Sequence, residues 1–424
     1  MSSELLVYLD GDYLGLITQT RQGSLGFTYD PGYLERDRPT PLSLSMPVTA
    51  EQKPNRIVRA FLEGLLPDNQ AVRERWGTAF GVSANNPFAL LRHVGRDAAG
   101  AVQILPPGEA SDDAAHRTGD IAWLTDEDFL GIVRSLAEHR DWDPERQAGR
   151  WSLAGAQSKV ALFRDPSTGM WGIPQDATPT THIIKPAIPG LDNHHINEVL
   201  CQRAATELGL AAASCELVDF GDVRAIVSTR YDRRHNSSGQ LRRVHQEDLC
   251  QALAVHPSQK YQADGGPGIG EIADLFARLG VADRPATAQR FFDGLVYNVL
   301  IGGTDAHAKN YSMLLHGQRA QLAPLYDLAS AVVYPSDRPL ESSMKVGAHR
   351  TMREISSSDW ARAGQRLGIG ADAAVSRVLE LRNALPMALD AAVASLPASA
   401  QGRARGLTEQ IGEHAAVVAP SWTT

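Results

Sequence analysis

Apolar residues come mostly in short alternating runs over the first half of the chain and at three- and four-residue spacing over the second. Leu5-Leu6-Val7-Tyr8-Leu9 and Tyr13-Leu14-Gly15-Leu16 flank Asp10-Gly11-Asp12 and predict a β-hairpin, because Asp-Gly readily takes the positive φ angles of a tight turn. Ile57, Phe61, Leu62 and Leu65 predict a helix over 56–66, stopped by Pro67-Asp68-Asn69. A further β run, Ala101 to Leu105, ends at Pro106-Pro107, and the polar stretch from Pro106 to Asp120 reads as a linker. Thr125-Asp126-Glu127-Asp128 looks like the capped start of a helix reaching about His139, followed by a charged, Gly-containing stretch to Arg150. Lys159 to Phe163, His182 to Lys185 and Ala225 to Thr229 then predict strands. Beyond them Ile272, Leu275, Phe276 and Leu279 predict one amphipathic helix, ended by Gly280. Phe292, Leu295, Val296 and Val299 predict another, broken by Gly302-Gly303. Residues 371–395 continue helical, and the last two dozen residues read as a poorly anchored tail. Strands first and helices later predict an α+β fold of two lobes with a cleft between them.

Composition narrows the class without naming the function. At 424 residues the chain can build two cores, and 43% hydrophobic with 21% charged residues is ordinary for a water-soluble globular protein. A net charge of −8 disfavours direct nucleic-acid binding, so contact with DNA is expected only through a basic partner. Cys201, Cys215 and Cys250 lack Cys-x-x-Cys spacing, which predicts neither a disulfide framework nor a zinc site and favours a reducing cytoplasm. No apolar run approaches membrane-spanning length and the start lacks a signal-peptide pattern, so no membrane association is expected.

Chemistry concentrates at Thr304-Asp305-Ala306-His307-Ala308-Lys309-Asn310, with Leu325-Tyr326-Asp327 downstream. One carboxylate to meet a hydroxyl, then an amide oxygen and a second carboxylate to hold magnesium, is what ATP-dependent phosphoryl transfer requires. The protein-kinase catalytic loop has the same Asp-x-x-x-x-Asn spacing, although Asp-Phe-Gly is here Asp327-Leu328-Ala329. A single Asp after Gly-Gly is an ordinary helix stop; three ligand-type side chains in this order favour the chemical reading.

Lys185 ends a predicted strand, and Glu198 follows on a helix carrying Ile196, Val199 and Leu200, as in the Lys–Glu pair that aligns phosphates in kinases. Each alone also reads as a solvated surface charge. Ser152 to Lys159 is a small-residue loop able to bring N–H groups close to anions, or simply a turn. Gly268-Ile269-Gly270-Glu271-Ile272-Ala273 satisfies a dinucleotide-binding pattern but lacks a preceding strand, and reads as a helix cap. His194-His195 reads as an exposed loop pair.

Long ordered blocks of the chain resemble the HipA family of bacterial serine/threonine-kinase toxins from HipBA toxin–antitoxin modules. They include Arg38 to Pro47, Leu65 to Asp68, Val94 to Val102, Ser152 to Lys159, Thr178 to Lys185, Gln246-Glu247-Asp248, Asp264 to Ile269 and Thr304 to Asn310. The resemblance implies a two-lobed protein-kinase-like fold. Residues 1–106 would form a β-rich N-terminal subdomain, 107–150 a linker and helix, and 151–397 the kinase core, with the helical lobe from about 230 and a tail over 398–424.

Several roles follow from the resemblance. Asp305 would be the catalytic base, Asn310 and Asp327 the magnesium ligands, and Lys185, paired with Glu198, the holder of the ATP phosphates. Ala154, Gly155, Ala156, Gln157, Ser158 and Lys159 would form the phosphate loop. Thr229, Arg230 and Tyr231 would form the adenine hinge, with Thr229 where the family carries an acidic residue. His307, Ala308, Lys309 and Tyr326 would complete the nucleotide site.

Ser152 would be autophosphorylated, ejecting its loop and disabling ATP binding, with Arg150, Lys159 or Arg230 compensating the new charge. The implied partners are a HipB-like helix-turn-helix antitoxin and a protein substrate such as an aminoacyl-tRNA synthetase. A non-catalytic co-repressor and a small-molecule phosphotransferase are the rival readings.

Overall fold

The Asp10-Gly11 turn forms as its residue types dictate, with φ of 51° and 91°. It joins β1 (Ser3–Leu9) to β2 (Asp12–Gln19) in an antiparallel hairpin. The structure, a computed structural model, describes residues 3–109, 117, 119–139, 152–155, 157–188, 190–220, 223–418 and 422. The chain divides into two compact units. The first comprises 1–186, 219–257 and 314–318, and the second 187–218, 258–313 and 319–424.

In the first unit, β3 (Leu25–Tyr29) and β4 (Val102–Leu105) complete a sheet of order β3-β2-β1-β4. The helix Asn55–Gly64 packs on β3 and buries Val58, Phe61 and Leu62. The helix Pro87–Val94 begins with Pro just inside an Asn86 cap, whose side chain accepts from the Ala89 N–H. A second sheet contains β5 (Ile121–Trp123), β6 (Val160–Arg164), β7 (Trp171–Pro174) and β8 (His182–Pro186). β9 (Cys215–Phe220) crosses the boundary between the units, and β10 (Val223–Thr229) pairs with β8, giving the order β5-β7-β6-β8-β10.

The helix Asp126–His139 packs on β8 and β10 through a buried stripe of Phe129, Ile132, Val133 and Leu136. Its start is capped as expected: the Asp128 N–H donates to Thr125 Oγ1, and the Thr125 N–H donates back to the Asp128 carboxylate. Most of the expected linker, 110–116 and 118, lies outside the described residues, as does the expected stretch 141–150. Arg117 forms an ion pair with Asp10.

The block Arg38 to Pro47 has a structural use. The Leu44 N–H donates to Glu247, Ser43 and Ser45 donate to the Gln251 carbonyl, and His245 donates to the Leu42 carbonyl.

The second unit is mostly helical. It contains His194–Glu207, Ile269–Ala277, Arg284–Ile301, Ser357–Leu367, Ala371–Ser395 and Ala398–Val418. Gly268 caps Ile269–Ala277, its N–H donating to Glu271, and a 3₁₀ turn over Gln262–Asp264 precedes it.

Two readings need correction. His194-His195 is the first turn of a helix rather than an exposed loop, and His195 is buried. The final segment is a helix with Ala400, Ala404, Leu407, Ile411 and Val418 buried, packed on Arg284–Ile301 and Ala371–Ser395. Small alanines at helical spacing carry little apolar signal, yet they allow helices to approach closely. Among the described residues, no helix is long and apolar enough to cross a membrane.

Candidate active site

The helix Arg284–Ile301 is buried along most of its length, through Phe291, Phe292, Leu295, Val296, Val299 and Leu300, and so offers a rigid base. Gly302 ends it in the left-handed conformation at φ 68°, which a side chain would disfavour. The Gly303 N–H then donates to the Asn298 carbonyl at 2.7 Å, and Ser343 Oγ donates to the Thr304 carbonyl at 2.6 Å. The chain therefore reaches Asp305 already fixed on both sides.

The loop closes on itself. The Asp305 carbonyl accepts from the His307 N–H at 2.8 Å and from Asn310 Nδ2 at 2.7 Å, while the Asn310 N–H donates to the His307 carbonyl at 2.9 Å. Asn310 thus commits its amide nitrogen to the loop. His307, Ala308 and Lys309 are buried, whereas the Asp305 side chain is 67% exposed.

Asp327 is exposed and held on left-handed backbone, φ 53°, an uncommon choice for a non-glycine residue. What holds it is the helix His194–Glu207. Gln202 donates to the Leu325 carbonyl at 2.5 Å, and Asn197 both donates to the Ser330 carbonyl and accepts from its N–H. Glu198 is buried on the same helix. Tyr326 ties this segment to the Asp305–Asn310 loop, its hydroxyl donating to the Lys309 carbonyl at 2.9 Å and lying 2.7 Å from Ser312 Oγ. Within the helical unit the structure thus links Tyr326, the neighbour of Asp327, to the loop that runs from Asp305 to Asn310.

Magnesium in phosphoryl transfer is held by one or two carboxylates together with substrate phosphates and water. Asp327 and the Asn310 amide oxygen are hard donors of that kind. Among the described residues, no group of three or more His, Cys, Asp and Glu side chains could hold a metal by itself. In donor type, an Asp carboxylate and an Asn amide oxygen fit a magnesium ion shared with substrate phosphates.

The remaining expected site residues lie in the first unit. Lys185 is buried in β8, opposite Ile226 of β10. In the small-residue loop, Lys159 Nζ donates to the Ala154 carbonyl at 2.8 Å, and Gly155 sits at φ 111°. A Cβ on Gly155 would come 2.5 Å from that Nζ, so glycine is required for the lysine to lie there. The Gly155 carbonyl accepts from the Asp68 N–H at 3.1 Å, and Gln157 donates to the Pro186 carbonyl at 3.0 Å. Ser158 is half-buried. Ser152 is fully buried, with its hydroxyl donating to the Leu65 carbonyl at 2.7 Å and its N–H to the Asp97 carbonyl at 3.0 Å. Arg150 and Ala156 lie outside the described residues.

At the expected hinge, Thr229 is exposed, and the Tyr231 hydroxyl donates to Gln246. The Arg230 side chain is engaged elsewhere: its guanidinium donates to Asp232, Asp97, Thr180 Oγ1 and the Ala98 carbonyl. Arg233 and Arg243 join it around Asp97. Burial alone would raise the Asp97 carboxyl, but Arg233, Arg243 and Arg230 outweigh it and hold the group far below the carboxylate range. Asp97 belongs to one of the resembling blocks, yet its sequence context gives no sign of this arginine cluster. Asn197, Gln202 and Tyr261, which position the site, have no sequence signal beyond proximity to those blocks.

An α+β chain in which a buried helix delivers an Asp-x-x-x-x-Asn loop beside a second, clamped Asp has the architecture of a kinase-like fold. Comparison with known proteins agrees. The family model of the HipA-like C-terminal domain matches residues 151–389, and that of the HipA N-terminal domain matches 5–105. The candidate kinase Y4mE of Sinorhizobium fredii is 38% identical over 384 residues, 89% of each chain. The serine/threonine-protein kinase toxin HipA of Shewanella oneidensis is 29% identical over 373 residues, 84% of this chain and 82% of that one. A solved complex of Shewanella oneidensis HipA, HipB and operator DNA contains a chain that matches with a TM-score of 0.82 at 24% identity, covering 97% of this chain and 96% of that one. That likeness establishes the fold. The chain belongs to the HipA family of kinase toxins.

Proposed function

We propose that this chain transfers the γ-phosphate of ATP to a serine or threonine hydroxyl of a protein, as the toxin of a toxin–antitoxin pair. The observation that carries the proposal is the closed Asp305–Asn310 loop, tied through Tyr326 to the clamped Asp327. In this mechanism the acceptor hydroxyl gives its proton to the Asp305 carboxylate as its oxygen attacks the γ-phosphorus. The bond from that phosphorus to the β–γ bridging oxygen breaks, and ADP leaves with the electron pair. Lys185, positioned by Glu198, would neutralise the α/β-phosphates, and Lys159 with the loop 154–159 would face the phosphate chain. Asn310 and Asp327 would hold magnesium, which when bound offsets charge developing on the phosphate oxygens. Backbone groups of Thr229, Arg230 and Tyr231 would line the adenine, since the Arg230 side chain is committed to Asp97 and Asp232.

Ser152 is the proposed site of self-inactivation. Its hydroxyl is enclosed against the Leu65 carbonyl, so adding a phosphate of about −1.5 to −2 charge cannot leave the loop in this seat. Lys159, whose Nζ already donates to the Ala154 carbonyl, or Arg230 would meet that charge. By analogy with the family, a HipB-like antitoxin would bind the chain and carry any DNA contact, and the target would be a translation component such as an aminoacyl-tRNA synthetase. Phosphoproteomics after inducing the wild type or Asp305→Asn tests target and chemistry together. Serine or threonine sites phosphorylated only with the wild type are expected. Identical phosphoproteomes would contradict the proposal.

A further inference from the structure

The block Asp264 to Ile269 is not accounted for by the phosphoryl-transfer reading, and it lies just after Tyr261. The Tyr261 hydroxyl donates to Asp305 Oδ1, and its ring meets His307 edge-on, with centroids 4.8 Å apart and planes at 81°. Tyr261 itself is firmly held. Its carbonyl accepts from the N–H groups of Asp264 and Gly266, and the neighbouring Lys260 carbonyl accepts from the Ala308 N–H of the catalytic loop. On its other side, Gln262 accepts from the Lys345 N–H at 2.6 Å.

Glycine is needed to make this turn. Gly265 has φ 87°, and a Cβ on Gly266 would lie 2.0 Å from the Gln259 carbonyl oxygen. The glycine pair thus folds the segment back so that Tyr261 reaches Asp305.

An Asp side chain that is 67% exposed can rotate among several rotamers, only some of which aim an oxygen at an incoming hydroxyl. A phenol fixed at one carboxylate oxygen removes that freedom and leaves Oδ2 for the substrate proton. His307 Nε2, at 3.8 Å from Oδ1, is too far to do the same by a direct hydrogen bond. We propose that Tyr261 is a positioning residue for the Asp305 base, and that the Gly265-Gly266 turn exists to place it. This rests on the base role given to Asp305 above.

The test compares wild type, Tyr261→Phe, Asp305→Asn and the double variant. It follows labelled phosphate from magnesium ATP into protein, with the chain itself and added casein as acceptors. Tyr261→Phe keeps the ring on His307 and deletes only the hydroxyl. It is expected to lower kcat by roughly ten- to a hundred-fold with the KM for ATP unchanged. Adding it to Asp305→Asn should cost nothing further, because both changes act through one carboxylate. Wild-type or faster turnover by Tyr261→Phe, with Asp305→Asn impaired, would overturn the positioning role and leave the base intact. A raised KM for ATP, or a loss that multiplies with that of Asp305→Asn, would also overturn it. Unimpaired Asp305→Asn, or a wild type that labels no protein, would remove the base and the role of Tyr261 together.

Discussion

Two buried ionisable side chains, Glu247 and His245, face the Pro41–Pro47 segment and are shifted in opposite directions by burial. Burial pushes the Glu247 carboxyl up to about 8, outweighing the hydrogen bonds from Leu44 and Ser43 that favour its charged form. Burial lowers the His245 imidazole to about 4 against the opposing Leu42 contact. The signs differ. From about pH 4.5 to 8 the folded state holds a proton on Glu247 that the unfolded state has lost, so this group makes stability fall as pH rises. From about pH 4 to 6.5 the unfolded state holds a proton that folded His245 lacks, so this group makes stability rise. The two oppose each other up to about pH 6.5, and above it only Glu247 acts. Wild-type melting temperature should therefore drop between pH 6.5 and 8, and Glu247→Gln should flatten that drop. An equal drop in both proteins would contradict the assignment. Sequence reading could single out Asp305, Asn310 and Asp327 because their spacing is local, and it gave no sign of the contacts of Tyr261 and Asp97 because their partners are distant along the chain. Asp97 meets Arg230, Arg233 and Arg243 only after folding.

At the scale of elements, the hairpin, the capped helix from Asp126 and the helix before Gly302 were legible because turn, cap and stop residues are chemically explicit. The final helix was not, since half of its buried face is alanine and its anchor lies beyond it. That anchor is Trp422, fully buried, edge-on to Trp360 with centroids 5.7 Å apart, its Nε1–H donating to the Ile355 carbonyl at 2.8 Å. Trp422→Ala should cost about 3–5 kcal/mol in denaturant unfolding; unchanged unfolding would return the segment to the status of a tail. The Ser152 loop makes the opposite prediction, of movement. Incubation with magnesium ATP should place one phosphate on Ser152 by mass spectrometry and make the 152–159 segment more sensitive to protease. Phosphate found only at other positions would contradict self-inactivation through this loop.

Across the whole molecule, the two family matches, 5–105 and 151–389, do not coincide with the two compact units. The first unit joins the N-terminal match to the strands that carry Lys185 and the expected hinge, and contacts inside that unit explain why. Asp97 holds Arg230 and Arg233 around the start of the expected hinge, and Ser43 and Ser45 dock on Gln251. The helix bearing Glu198 falls instead in the helical unit, because Asn197 and Gln202 clamp the Asp327 segment. Removal of the N-terminal region would thus disturb the setting of the expected hinge. The central claim concerns one carboxylate on a closed loop, and a direct assay of phosphate transfer addresses it. Labelled γ-phosphate passing from magnesium ATP to protein should be lost by on the order of 10²–10⁴ in Asp305→Asn at unchanged nucleotide affinity. Transfer by Asp305→Asn at the wild-type rate would contradict the account.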